Sequence, residues 1–245
     1  MAVLALMKQA TEKNPLIGKI IAIDGPAGAG KGTLATNLAR VYRMKYLDTG
    51  TLYRVVAYKT IQMGGNPAVE EDALKGCDLS DFDFRHTGKN IFCAFLGDKD
   101  VMNDIRQIII GQGASKVAFF PSVRASLKQF QVDFATKWAA EYGVILDGRD
   151  IGTVICPGAD YKFFLDANAD VRAKRRIEEL EGRGIKACYQ ETLSEIVERD
   201  ARDRGREEAP LKVANDGYLV DSSHKDAVQV LEEVMGIVSI PAAKV

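Results

Sequence analysis

The first regular pattern along the chain is a short apolar run, Ile20, Ile21, Ala22 and Ile23 within Gly18–Asp24, that ends in glycines. A run this short and without polar alternation predicts a strand buried on both faces of a parallel sheet. From Lys31 to Arg43 the period changes, because Leu34, Leu38 and Val41 recur at helical spacing. A second strand over Met44–Asp48 and a second helix over Thr51–Met63 follow, and this alternation is the mark of βαβ units. The rhythm breaks at Gly64-Gly65-Asn66-Pro67. Phe82, Phe84, Ile91, Cys93 and Phe95 then alternate with polar residues around Thr87-Gly88-Lys89-Asn90, which predicts a small antiparallel hairpin or three-stranded sheet. Helical pattern returns over Ile105–Tyr142, broken at Pro121. Val144–Leu146 and Tyr161–Asp166 read as further strands, and Asp170–Glu181 and Glu191–Gly205 as charged helices joined through Gly182 and Gly184. A strand at Tyr218–Val220 and a helix over His224–Val238 close the pattern.

These elements predict a three-layer α/β domain over residues 17–245, with a parallel core sheet and a small β-containing insert at about 64–105. The helices at about 170–206 have the look of a helical lid, with glycine hinges and with Arg172, Arg175, Arg176 and Arg183 facing a ligand on closure. Residues 1–16 read as a flexible leader. Trp138 and the Phe119-Phe120 pair are assigned to the core.

Composition narrows the classes of function. The 245 residues are 47% hydrophobic and 27% charged, with 33 Lys and Arg against 34 Asp and Glu, the balance of an ordinary globular chain. A net charge of -1 argues against a nucleic-acid partner, and no apolar run is long enough to span a membrane. Cys77, Cys93, Cys156 and Cys188 stand far apart, and His86 and His224 are the only histidines, so no protein-held metal site is expected. Scattered thiols read as the reduced cysteines of a cytoplasmic protein, and a monomer is expected.

The sharpest chemistry lies in Gly25-Pro26-Ala27-Gly28-Ala29-Gly30-Lys31-Gly32-Thr33. It has the G-x-x-x-x-G-K spacing of a phosphate loop and sits between a buried strand and a helix, as that mechanism requires. Glycines let the loop curl so that backbone N–H groups face phosphate oxygens, and the start of the helix adds a positive field. Lys31 then reaches the β and γ phosphates. Gly32 occupies the place of the usual magnesium-binding hydroxyl, with Thr33 one residue later. Asp147 ends an apolar strand and either orients magnesium through water or caps the turn, while Asp150 either pairs with Arg149 or reads a base. Arg199, Arg202 and Arg206 fall on one helical face, although Arg199 and Asp203 also have the spacing of an ordinary surface pair. Guanidinium groups suit a phosphoryl transfer whose attacking phosphate oxygen, with a second pKa of about 6, is already largely ionised and needs positioning more than a base. Rival readings are a kinase for another small acceptor, such as UMP or shikimate, and a GTPase-like switch. The latter is weakened by the missing Asn-Lys-x-Asp guanine motif.

Further segments carry a resemblance. Tyr46-Leu47-Asp48-Thr49-Gly50 with Leu52-Tyr53-Arg54, Ala114-Ser115 with Phe120-Pro121-Ser122-Val123-Arg124, Asp147-Gly148-Arg149-Asp150-Ile151-Gly152-Thr153, and Glu198-Arg199-Asp200-Ala201-Arg202-Asp203-Arg204 together resemble the bacterial cytidylate kinase family over Lys19–Val238. The resemblance implies a P-loop kinase core, a nucleoside-monophosphate-binding insert and a mobile lid. It implies transfer from ATP, as its Mg2+ complex, to CMP or dCMP. It also implies that Thr49 belongs to the acceptor site. Arg54, Arg149 and Arg206 are assigned to the acceptor phosphate, Ser115, Arg124 and Asp150 to the cytosine edge, and Arg199 with Asp203 to the ribose. Lys31, Arg149, Arg199, Arg202 and Arg206 then form the catalytic set. A carboxylate at Asp150 accepts from the exocyclic amine of cytosine and repels the carbonyl of uracil. Ile108-Ile109-Ile110 departs from the more polar turn expected of the family, leaving the start of the Ser115 helix open.

Overall fold

A computed structural model describes residues 14–86 and 92–238. Five parallel strands form the core sheet in the order β2-β6-β1-β7-β8, with β1 at Ile20–Asp24, β2 at Lys45–Asp48, β6 at Val144–Gly148, β7 at Tyr161–Asp166 and β8 at Tyr218–Asp221. The central strands are buried on both faces, which is why they read as unbroken apolar runs. Alternation survives inside those runs. Ile21, Ile23, Ile145, Phe163 and Leu165 pack with helices α1 (Lys31–Tyr42) and α9 (Ala227–Val238). Ala22, Leu47, Val144 and Leu146 pack on the other face against Phe134, Ala135 and Ala139 of α6 (Pro121–Tyr142).

Between β2 and β6 the chain builds a second core. Helix α2 (Gly50–Gln62), the short α3 (Glu70–Lys75) and the antiparallel strands β3 (Phe82–His86), β4 (Phe92–Leu96) and β5 (Lys99–Asp100) enclose Leu52, Val55, Val56, Phe82 and Ala94 with the first half of α6. The hairpin turn expected at Thr87–Asn90, with Ile91, lies outside the described residues. The region read as one helix broken at Pro121 is three: α4 (Met102–Ile105), α5 (Ile108–Val117) and α6, with Pro121 in the first turn of the last, where its missing N–H costs nothing. The charged pair is α7 (Ala169–Glu181) and α8 (Tyr189–Arg204), packed on each other.

Three expectations are corrected. Residues 1–13 of the leader lie outside the described residues, but Leu16 is 4% exposed within the core, and the Asn14 side-chain amide donates to the Tyr142 carbonyl at 2.6 Å. The ordered chain therefore reaches back into the segment read as a leader. Phe119, assigned to the core, is 55% exposed, because it falls in the break between α5 and α6. The lid arginines Arg172 and Arg175, expected to face a ligand on closure, are taken up by protein partners. Arg175 donates to Ser222 and the Lys225 carbonyl, and Arg172 is buried in a network described below. Trp138 packs on the α6-face cluster as expected.

Candidate active site

Parallel registry brings Asp24, Asp48, Asp147 and Gly148 side by side at the carboxyl end of the sheet, the edge along which open α/β sheets form their ligand crevices. The glycine-rich loop leaves β1 there. Gly25 has φ +146°, and a Cβ on it would lie 2.0 Å from the Leu165 carbonyl oxygen, so only glycine lets the chain pass β7 at this point. Gly30, at φ +97°, turns the chain into α1.

Protein donors take the loop's carbonyls. The Lys31 ammonium donates to the Pro26 oxygen at 2.8 Å, Arg172 Nη1 to Ala27 at 3.1 Å, and Ser222 Oγ to Ala29 at 3.0 Å. These bonds occupy oxygens that would otherwise repel a phosphate. Arg172 also donates to the Ala167 carbonyl and, through both terminal nitrogens, to Asp200 at 3.1 and 2.5 Å, so one side chain ties the loop to helix α8. Neither Arg172 nor Ser222 was legible as a loop support from the sequence.

Lys31 lies among charged neighbours. Burial pushes its pKa down, as do the nearby guanidinium groups of Arg149 and Arg199, against the opposing carboxylates of Asp147 and Asp48. Asp147 is buried, and its carboxyl is pushed up by burial and by Asp48, against Lys31 and Arg149. Its Oδ1 makes no hydrogen bond. A Cβ on Gly32 would come within 3.9 Å of Asp147 Oδ2, so the residue that lacks the usual hydroxyl stands directly beside this carboxylate. Thr49 donates both its amide, at 3.1 Å, and its hydroxyl, at 2.7 Å, to the Asp147 carbonyl. In this form its donor is committed to the strand end.

Of the predicted arginines, Arg149, Arg199 and Arg206 converge. Asp203, 2% exposed, is the hub: Arg149 Nε donates to its Oδ2 at 2.9 Å, Arg206 Nη2 to its Oδ1, and Arg199 Nε stands 3.9 Å from Oδ2. Burial alone would push the Asp203 carboxyl up, but Arg149, Arg206 and Arg199 hold it below the usual range. The cluster still has spare donors, since Arg199 Nε and Arg206 Nε and Nη1 are buried with no partner. Burial, with Arg149 and Arg54 beside it, pushes Arg199 down to about 10. Arg54 anchors one nitrogen on the Ile105 carbonyl at 2.9 Å. Arg202 is set apart: it is exposed, its Nε donating to the Glu198 carbonyl at 3.4 Å.

The third group lies beside the turn after β6. Arg124 Nη2 donates to Asp150 Oδ2, both residues being buried, and the Tyr53 ring lies 5.9 Å from the Arg124 guanidinium. The Ser115 hydroxyl is buried without a partner. Asp150 opens a single π-helical turn, Ile151–Ile155, that no local pattern announced. Asp24, at the end of β1, accepts from the amides of Ile151 and Gly152, both at 2.8 Å. The sequence signal for Asp24 is a polar residue closing an otherwise apolar strand.

Known proteins share this sequence pattern and fold. A family model described as cytidylate kinase matches residues 21–239. A protein of Mannheimia succiniciproducens named cytidylate kinase is 41% identical over 219 residues, which are 89% of this chain and 95% of that protein. One of the same name from Mesorhizobium japonicum is 44% identical over 221 residues, 89% of this chain and 93% of the relative. A solved structure of an uncharacterized protein from Eubacterium ventriosum ATCC 27560 shares the fold at a TM-score of 0.50 and 16% identity, over 90% of this chain and 98% of that one.

Proposed function

The chain belongs to the cytidylate kinase family and phosphorylates CMP and dCMP from ATP; we propose that the cleft divides this work as follows. The loop Gly25–Thr33 and Lys31 hold the donor's β and γ phosphates. Arg54, Arg149 and Arg206 hold the acceptor phosphate, and Arg199 with Asp203 holds the ribose. Asp150, Arg124 and Ser115 read the cytosine edge. An oxygen of the acceptor phosphate attacks the γ phosphorus, the bond to the β–γ bridging oxygen breaks, and ADP leaves. No side chain needs to remove a proton, because the acceptor phosphate, with a second pKa of about 6, is already largely dianionic at neutral pH. Lys31 and the arginines act by position and charge, and Arg202 joins them if α8 moves inward.

Magnesium fits the donor set. Asp147 carries a buried oxygen without a partner, next to the side-chain-free Gly32. Asp147 would hold the ion through water, and the ion, when bound, would supply positive charge that offsets the charge of the donor phosphates. The segment around β3–β5 is the acceptor-side insert, and α7 with α8 is the lid. One chain carries every named group, so a monomer suffices, and the reaction is placed in the cytoplasm. Among the described residues, no helix is long and apolar enough to cross a membrane.

The observation that carries this reading is the convergence of Arg149, Arg199 and Arg206 on the buried Asp203 carboxylate, with Arg149 next along the chain from Gly148, which pairs with the end of β1 where the phosphate loop begins. The test is coupled ADP release with CMP, dCMP, UMP, AMP and shikimate. CMP and dCMP are expected to lead UMP at least tenfold in kcat/KM, and a higher value for AMP or shikimate refutes the assignment.

A further inference from the structure

Asp24 takes no part in the division of labour above, yet it is buried and touches both halves of the cleft. Asp24 stands in register between Gly148 of β6 and Phe164 of β7, and the next residue, Gly25, begins the donor loop. Its carboxylate reaches 127 and 128 residues along the chain to the amides of Ile151 and Gly152. Those amides open the π turn, so no earlier turn supplies them with carbonyl partners, and a carboxylate from another element caps them instead.

Little else holds the turn on that side. Gly152 and Thr153 line a pocket of about 220 Å³ together with Lys162, Lys212, Asn215 and Asp216, so the turn is not wedged by packed core there. The Lys162 stem is the other support: a Cβ on Gly152 would meet Lys162 Cγ and Cδ at 3.2 Å, and the ammonium is held by Asp216 at 2.7 and 2.8 Å. The residue immediately before the capped amides is Asp150, and the one before that is Arg149.

We propose that Asp24 is a positioning residue for acceptor recognition: by gripping the Ile151 and Gly152 amides it sets Asp150 and Arg149 at a fixed offset from the donor loop that begins at Gly25. The proposal rests on the acceptor reading above and goes beyond it, because both oxygens of Asp24 are engaged by backbone amides and act on the acceptor through the turn. A grip on the acceptor turn affects the two substrates unequally. Loss of the carboxylate frees Asp150 to shift, which loosens CMP and erodes the distinction between CMP and UMP, whereas the loop's carbonyl anchors at Lys31, Arg172 and Ser222 remain.

The experiment is steady-state kinetics of the full chain and of Asp24→Ala, Asp24→Asn and Gly152→Ala, with thermal unfolding of each. Asp24→Ala is expected to raise KM for CMP at least tenfold and to narrow the CMP-to-UMP ratio of kcat/KM at least fivefold, with KM for ATP within threefold of wild type. Asp24→Asn, which keeps one acceptor oxygen, is expected to fall between. Gly152→Ala presses a methyl against the Lys162 stem at 3.2 Å and brings it 3.4 Å from Asp24 Oδ2, so it displaces the turn while leaving the carboxylate in the chain and should show the same split. If Asp24→Ala does not fold, the criterion passes to the other two variants. A parallel rise in both KM values, or no change in either, overturns the role of Asp24 while leaving the kinase reading intact. Wild-type protein that does not turn over CMP refutes the acceptor assignment itself, and this proposal with it.

Discussion

Replacing Asp203 by Asn removes one negative charge from among three guanidinium groups and keeps the shape of the side chain. Arg149 and Arg206 bond to the carboxylate directly and Arg199 stands 3.9 Å away, with Asp203 itself 2% exposed. Breaking a buried ion pair by removing one partner costs about 3–5 kcal/mol, because the other charge is left uncompensated. The amide oxygen can still accept one hydrogen bond, worth about 1 kcal/mol, so the net loss is about 2–4 kcal/mol. For a chain of this length each kcal/mol moves Tm by about 2–4 °C, giving a fall of roughly 4–16 °C. The same change leaves the cluster unneutralised, and a tetrahedral dianion can then take the place of the carboxylate. If sulfate binds the variant with Kd about 0.2 mM, 20 mM sulfate restores about 2.7 kcal/mol. The assay is thermal unfolding of both proteins with 20 mM sulfate and with chloride at equal ionic strength. Sulfate should recover at least half of the lost Tm in the variant and shift wild type less. A Tm loss under about 2 °C, or equal shifts by sulfate, refutes the hub. The pH dependence has a definite sign. The folded-state pKa of Asp203 is held below its ordinary value, so its stabilisation is full above about pH 4 and is lost as pH falls through the folded value. The stability gap between wild type and variant therefore closes in acid.

Two further outcomes test the donor side. Lys31→Ala should lower kcat about 10²–10³-fold while costing less than about 1 kcal/mol in urea unfolding, since burial already disfavours the charged lysine in the empty loop; a large loss of stability with kcat intact would reverse its role from catalytic to structural. Gly25→Ala places a methyl on the Leu165 carbonyl oxygen at a backbone angle that side chains rarely adopt, so a loss above roughly 3 kcal/mol is expected, and an unfolding midpoint equal to wild type would contradict the loop geometry.

What was legible in the sequence follows from range. The βαβ rhythm and the phosphate loop are local patterns, set by side-chain period and by glycine, and each recurs in the structure near its expected residues. The expected arginine face does not: α8 ends at Arg204, so Arg206 lies beyond the helix, and Arg202 is exposed. The break at Arg106-Gln107 was not legible, since Ile108-Ile109-Ile110 continues an apolar pattern although Ile109 is 61% exposed. The aim of a long side chain was not legible either. Arg172 and Arg176 are four residues apart on one helix, yet the first is spent on Ala27, Ala167 and Asp200 and the second on Glu179 at the surface. The π turn escaped notice for a related reason: its cap comes from β1, more than a hundred residues away.

Unmet polar demand connects the fold to the activity. Folded proteins leave few buried polar atoms without partners, because each such atom costs about 1–3 kcal/mol. Among the described residues the atoms in that state are Ser115 Oγ, Asp147 Oδ1, Thr153 Oγ1, Arg199 Nε, and Arg206 Nε and Nη1. Ser115, Arg199 and Arg206 are assigned to acceptor or ribose from the sequence, Asp147 reads there either as a magnesium-orienting group or as a turn cap, and Thr153 lies in the turn that Asp24 caps. Their chemistry is matched to what the reaction brings. The guanidinium nitrogens can only donate, and phosphate oxygens only accept. The Asp147 oxygen can only accept when ionised, and a hydrated cation only donates. The Ser115 hydroxyl can do either, as the mixed edge of cytosine requires. A core misfolded by chance would scatter its orphans among unrelated elements. Here they gather at the carboxyl end of one sheet, on helices α5 and α8 and just beyond α8 at Arg206, so on the proposed assignment substrate binding would relieve the instability they carry.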